Sequence, residues 1–285
     1  MPTILACTDG SKYAESIYDH TAWAAKRMGA SVTVLHMLDP HHEKPIRSDN
    51  TGAIGLGVKS HLLDEIVALE GEAARIAQRR GRALLEVARA HLAEAGVGEI
   101  RTEQRHGALP DLIEQLEADA DLVVLGKRGE SAEFDSPHLG KNLERVVRGC
   151  HHPVLLAPRA AKPIKSFLLA FDGEANAQKA VAYACDNPLL KGLQCRLVHV
   201  GVPHAKEQAK LDDAAQRLRA AGYEPIVETP HGKPSEVISE KVEEASIDFL
   251  VMGAYKHAHW QHYLVGSTTT DLIRRCKQVP VLLFR

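Results

Sequence analysis

The sequence is poor in the features that mark several large classes of protein. Its five cysteines, Cys7, Cys150, Cys185, Cys195 and Cys276, are scattered and form no CxxC pair. A zinc knuckle and a disulfide framework are therefore not indicated, and reduced, mostly buried thiols are expected. No uncharged apolar run is long enough to span a bilayer, and the opening MPTILACTDG has no basic n-region. A cytoplasmic chain with no membrane partner is expected. The formal charge of −2 supplies no basic field for a nucleic acid backbone, so no nucleic acid partner is expected either. A GxxxxGK[ST] loop is missing, which gives a fast NTPase no support. No nucleophile or base has a visible orienting partner, and the chain reads as non-catalytic.

What is present is a repeat. A chain of 285 residues, 45% hydrophobic and 25% charged, suits two globular domains of ordinary size. Set side by side, ILACTDGSKYAESIYDHTAWAAKRMGASVTVLHM and FLLAFDGEANAQKAVAYACDNPLLKGLQCRLVHV pair Asp9 with Asp172, Gly29 with Gly192 and His36 with His199, each 163 positions apart without a gap. HGALPDLIEQLEADADLVVLG then matches HGKPSEVISEKVEEASIDFLVMG, and GCHHPVLLAPR matches RCKQVPVLLFR. The boundary falls at Pro158 to Pro163, giving domains 1–158 and 163–285. The copies differ mainly from about Asp39 to Arg75, where the first carries extra sequence including TGAIGLGVKS. No strand directly feeds that glycine-rich stretch, so it is expected to be a mobile loop and not a phosphate cradle.

Within each copy short apolar runs alternate with helical patterns. TILAC, SVTVLHM, the stretch around Ile100–Gln104, DLVVLG and PVLLAP read as strands. YAESIYDHTAWAAKRM, GRALLEVARAHLAEAG and LPDLIEQLEAD read as helices, with Gly29 and Gly96 as stops. Trp23, Tyr183, Leu272 and Ile273 fall at core positions. Alternation of this kind predicts two doubly wound α/β domains with open parallel five-stranded sheets, whose ligands sit at the carboxyl ends of the strands.

Those strand ends in the second copy read AFDGE, HVGVP, MGAYKHAHWQHYLV and GSTTTDLIRR. Glycine allows close backbone approach, and GSTTTD puts hydroxyls and free N–H groups at a helix N-terminus, a ready anion site. Together with the duplication and the PVL strands, these runs resemble the universal stress protein family. That family carries a G-x2-G-x9-G-[ST] motif and an aspartate after its first strand.

The resemblance implies a Rossmann-like, adenine nucleotide alpha hydrolase-like fold. It also implies a stress-response adaptor or sensor that binds ATP or another adenine nucleotide, with Mg2+ as an accessory ion, and engages an unidentified protein partner. By position, Asp172 would take the adenine edge, Val200 the adjacent backbone contact, Gly253 the ribose and phosphate approach, and Gly266, Ser267, Thr268 and Thr269 the phosphates. Lys256 stands where the family has its second glycine; it either strains the loop or adds positive charge for a polyanion. In the first copy Asp9, Gly126, Gly129 and Gly140 are the counterparts. Their spacing is one residue too long, and Lys141-Asn142 follow where a hydroxyl belongs, so that site reads as degenerate.

Blander readings stay open beside these. Asp9 and Asp172 suit an Asx turn or a helix N-cap, and Ser267 a plain cap. His257, His259 and His262 lack a cysteine or carboxylate at ligand spacing, and no metal site is expected. HxGH, used by related nucleotidyl-transferring families after the first strand, is replaced by DGS and DGE. Slow ATP hydrolysis is left open. A scaffold with decayed sites, or a binder of another small anionic or lipid-like ligand, is the alternative function. The fused copies are expected to pair through their last strands, PVLLAP with PVLLF, and a homodimer of the whole chain is compatible with that arrangement.

Overall fold

Each copy alternates strand and helix throughout the computed structural model, which describes residues 1–38, 56–129, 141–254 and 267–285, with the side chains of 56–64, 141 and 267 excepted. The first copy runs β1 (Thr3–Thr8), α1 (Ala14–Met28), β2 (Ser31–Leu38), α2 (Leu56–Glu94), β3 (Ile100–His106), α3 (Leu109–Leu116), β4 (Leu122–Gly126), α4 (Lys141–Gly149) and β5 (Val154–Ala157). The second runs β6 (Ser166–Ala170), α5 (Ala175–Asp186), β7 (Gln194–Val198), α6 (Ala205–Ala220), β8 (Ile226–Glu228), α7 (Pro234–Glu244), β9 (Phe249–Gly253), α8 (Ser267–Arg275) and β10 (Val281–Phe284). Gly29 ends α1 as its sequence position suggests: its φ of 61° is the left-handed conformation that closes a helix, and its N–H bonds back to Ala25.

The ten strands among the described residues form one sheet, in the order β3-β2-β1-β4-β5-β10-β9-β6-β7-β8. Every neighbouring pair is parallel except β5 with β10, which run antiparallel with Leu155 opposite Leu282. The expected pairing of last strands is therefore the seam that turns two five-stranded sheets into one. Alternate strand residues enter two cores, one on each face. One face gathers Ile4, Val34 and Leu169 against Ile17, Leu85, Ala180 and Leu211, which belong to α1, α2, α5 and α6. The other gathers Leu5, Val123 and Leu250 against Leu112, Val146, Ile238 and Leu272, from α3, α4, α7 and α8. Both faces are covered, which is why the central strands read as continuous apolar runs. Leu272 and Ile273 are buried, while Trp23 and Tyr183 are partly buried against the core.

The seam is reinforced on the α1/α5 face. Trp23 of α1 lies 5.5 Å, ring to ring, from Phe249 of β9. Arg27 donates to the carbonyl oxygens of Leu189 and Lys191. On the opposite side of the seam Arg285 donates to Gly149 at 3.0 Å.

The extra sequence of the first copy is in large part helix. Of the stretch Thr51–Ser60, residues 51–55 lie outside the described residues, whereas Leu56–Ser60 begin α2, which corrects the loop expectation. The helix has 39 residues where its counterpart α6 has 16. Apart from Gly71 and Gly81, residues 69–94 hold mainly alanine, leucine, glutamate and arginine, all strong helix formers, so the pattern at 81–96 extends backward without a break.

Candidate functional site

In each copy the chain winds outward in both directions from the first strand, so β1 and β4, and likewise β6 and β9, flank the point where crossovers diverge. Ala170 is in register with Met252. Asp172 and Gly253 therefore leave neighbouring strands at one level, and the same placement holds for Asp9 and Gly126.

Asp172 heads an Asx turn: its Oδ1 accepts from the Glu174 N–H at 3.0 Å, next to Gly173 with φ 75°. Asp9 does the same, accepting from the Ser11 N–H at 2.9 Å. Neither is a helix N-cap, a position held by Tyr13 in α1 and Glu174 in α5. The turn uses one carboxylate oxygen and sets the direction of the other.

Gly253 is demanded first by packing. A Cβ there would lie 2.9 Å from the backbone nitrogen of Ala177 and 3.0 Å from Asn176 Cβ, so only glycine lets β9 end this close to the start of α5. Asn176 Nδ2 donates to the Ala254 carbonyl at 2.7 Å, tying the two loops of the crevice together. Val200, half-buried, follows β7. The preceding His199 has its Nδ1 3.0 Å from the Phe171 carbonyl oxygen, an arrangement repeated by His36 and Thr8 at 2.9 Å. In both copies the acceptor is a carbonyl, so Nδ1 carries the proton. Lys210 of α6 donates to the Gly173 carbonyl at 2.9 Å, bringing a cation to the aspartate loop.

Opposite these loops α8 begins at Ser267 with three threonines behind it. Thr269 is buried, and the buried Oγ1 of Thr270 has no hydrogen-bond partner among the described residues. Hydroxyls and N–H groups at the positive end of a helix dipole are suited to phosphate oxygens. Lys256, Gly266 and the three histidines at 257, 259 and 262 lie outside the described residues.

The first copy is arranged differently. A Cβ at Gly129 would lie 3.0 Å from Asp9 Oδ2, so a carboxylate faces the second glycine of the motif. Leu84 of α2 covers Gly10, with its methyls 2.7 and 2.8 Å from a Cβ placed there. Gly126 is pinched by Tyr13 and the Arg128 carbonyl, each 3.0 Å from a Cβ. The helix after the motif starts with Lys141 and Asn142, and Gly140 lies outside the described residues. Beside Gly126, Lys127 is buried and donates to the Cys276 carbonyl of the second copy. Burial pulls its ammonium down to about 7, an effect only partly offset by the Cys276 thiol.

Asn176, His36, His199 and Lys210 were not singled out as site residues from sequence. The matched histidines were visible in the repeat; Asn176 and Lys210 act through contacts that no spacing announces.

The family model for the universal stress protein family matches residues 1–158 and again 163–285. This chain belongs to that family. As a tandem universal stress protein, it is 37% identical over the full length of both chains to Universal stress protein Slr1230 of Synechocystis sp.. Its fold matches a universal stress protein structure from Archaeoglobus fulgidus DSM 4304 at TM-score 0.71 and 21% identity, covering 99% of this chain and 98% of that one. A universal stress protein solved in complex with cAMP covers 44% of this chain at TM-score 0.37, a likeness too slight to carry that ligand across. No helix among the described residues is long and apolar enough to cross a membrane, and those residues hold no cluster suited to a metal ion.

Proposed function

We propose that this tandem universal stress protein is a non-catalytic stress adaptor or sensor that takes ATP or a related adenine nucleotide in the crevice of its second copy. The observation that supports the reading is the difference between the two α-helical N-termini facing the crevices: hydroxyls, with a Thr270 Oγ1 that has no partner among the described residues, in the second, and a lysine–asparagine start in the first. In this reading Asp172 and Val200 meet the base, Gly253 lies beside the ribose, and Gly266, Ser267, Thr268 and Thr269 hold phosphates, with Lys256 and Lys210 adding positive charge. The first-copy residues Asp9, Gly126, Gly129 and Gly140 are a decayed version, in which the Asp9 carboxylate repels a polyanion and Leu84 fills space above Gly10.

The alternative is a scaffold whose two sites have both decayed, favoured by the Asn176 side chain, which already bonds the Ala254 carbonyl at 2.7 Å beside the second crevice. Native purification, heat release and mass spectrometry, followed by calorimetric titration with ATP, separate the two. Released adenine nucleotide, or binding weakened by Ser267→Ala, supports the nucleotide reading; neither release nor heat of binding leaves the scaffold. Lys256→Gly in the same titration strengthens binding if lysine strains the loop, and weakens it if the ammonium attracts phosphate.

A further inference from the structure

The two repeats exchange cations at the ends of their last helices. Arg285 of the second copy donates to the carbonyl oxygen of Gly149, the final residue of α4. Lys127 of the first donates to the carbonyl oxygen of Cys276, the residue that follows α8. A helix leaves its last carbonyls without intrahelical partners and gathers negative charge there, so a cation is a fitting cap at either place. The exchange is unequal in one respect. Lys127 belongs to Gly126-Lys127-Arg128-Gly129, the strand-end loop of the first crevice, whereas the residue after Gly253 is Ala254, whose side chain can return no such bond.

Lys127 is buried, and among the described residues no carboxylate pairs with its ammonium. The titratable groups that share its surroundings are the Cys276 thiol and, on α1, the His20 imidazole. Burial lowers the pKa of His20, and the charge of Lys127 adds to that effect, so the imidazole supplies no counter-charge. Glu243 of α7 and Arg275 of α8 act on the same thiol. A buried cation without a counter-ion is unfavourable, and the acceptor that this one meets is the carboxyl end of α8.

That helix has nine residues, a length of about 14 Å. So short a helix is held by its tertiary anchors and not by its own propensity, and as a hydrogen-bonded rod it carries a shift at one end to the other. Its first turn is the one assigned above to phosphate.

We propose that Lys127 is a positioning residue for the second crevice, holding α8, and with it the phosphate-facing turn, by an ammonium supplied from the strand-end loop of the first copy. The inference rests on the nucleotide reading and gives the first crevice, decayed as a binding site, a part in its sibling's. The charged lysine grips the carbonyl more strongly than the neutral amine does. Because burial brings its pKa to about 7, the grip, and nucleotide affinity with it, weakens as pH rises through neutrality.

Calorimetric titration of the full chain with ATP at pH 6 and pH 8.5 tests this, on wild type, Lys127→Met and Arg27→Met. Arg27 is a second cation that crosses the seam, but its bonds go to Leu189 and Lys191 and not to α8. Comparison at each pH cancels the ionisation of ATP itself. Lys127→Met is expected to bind about fivefold more weakly than wild type at pH 6 and equally at pH 8.5, with Arg27→Met matching wild type at both and far-UV circular dichroism unchanged throughout. Equal affinities of wild type and Lys127→Met at both pH values, a deficit of the same size at both, or a deficit shared by Arg27→Met would overturn the inference while leaving the nucleotide reading in place. Wild type that gives no heat with ATP at either pH removes that reading, and the inference with it.

Discussion

Lys127, at the end of β4 in the first copy, donates to the carbonyl oxygen of Cys276, at the end of α8 in the second. A buried lysine thus bolts the two repeats together across the seam, and burial makes its proton easier to lose.

The consequence is a pH dependence of stability with a definite sign. Burial holds the folded-state value of Lys127 at about 7 against an ordinary 10.5, so between these the unfolded chain binds more protons and stability rises with pH. The destabilisation is fully present below pH 7. Above pH 9 the buried thiols act in the opposite sense, since burial raises Cys276 to about 11 and Cys150 to about 12. Urea unfolding of wild type and Lys127→Met from pH 6 to 9 should therefore converge or cross: wild type gains up to ~1.4 kcal/mol per pH unit above pH 7 relative to the variant. Parallel lines would mean that the lysine is solvated.

The seam should also couple the repeats mechanically. Leu155 and Leu282 face each other across the antiparallel pair and are both fully buried. Each Leu→Ala change should cost ~2–5 kcal/mol, and the double variant should cost less than the sum, with an interaction energy of ~0.5–3 kcal/mol. One cooperative transition reported by circular dichroism should shift as a whole; separate transitions for the two copies would contradict a shared sheet.

Gly253 and Gly98 provide a matched contrast. Nothing lies within 4 Å of a Cβ at Gly98, whereas one at Gly253 collides with the backbone of α5. Gly253→Ala is expected to cost ~1–3 kcal/mol by overpacking, and Gly98→Ala to be near neutral, as measured by denaturant midpoints.

For ligand binding the two aspartates should behave unequally although their turns are alike. Asp172→Ala is expected to lower ATP affinity about tenfold or more, consistent with loss of a charge-assisted contact of ~1.5–3 kcal/mol, whereas Asp9→Ala should leave it unchanged. Calorimetry on both variants checks this, and equal losses would mean that both crevices bind.

Much of this was legible before any coordinates. The constant spacing between Asp9 and Asp172 and between His36 and His199 reflects strands and turns that cannot change length without shifting register, so the repeat, the parallel order and the pairing of the PVL strands could all be read. The course of α2 could not be foreseen in full. The glycines of TGAIGLG argue locally for a loop, yet Leu56–Ser60 are helical because they join a long run of strong helix formers. The role of Gly253 was read as room for a ligand, while its nearest neighbours are atoms of α5. Sequence spacing does not distinguish a glycine kept small for a guest from one kept small for a helix. Asn176 and Lys127 bond to carbonyl oxygens 78 and 149 positions away, and only the closed sheet brings those partners within reach.

Merging two repeats into a single ten-stranded sheet leaves β3 and β8 as the terminal strands among the described residues. Both are poor templates for a neighbour. β3 bristles with Arg101, Glu103 and Arg105, and β8 is three residues long with Glu228 held by Arg196 and Lys241. Two unfused repeats would expose twice as many borders, two of them the greasy PVL strands. Joining them end to end therefore hides the ribbons most prone to seed fibrils.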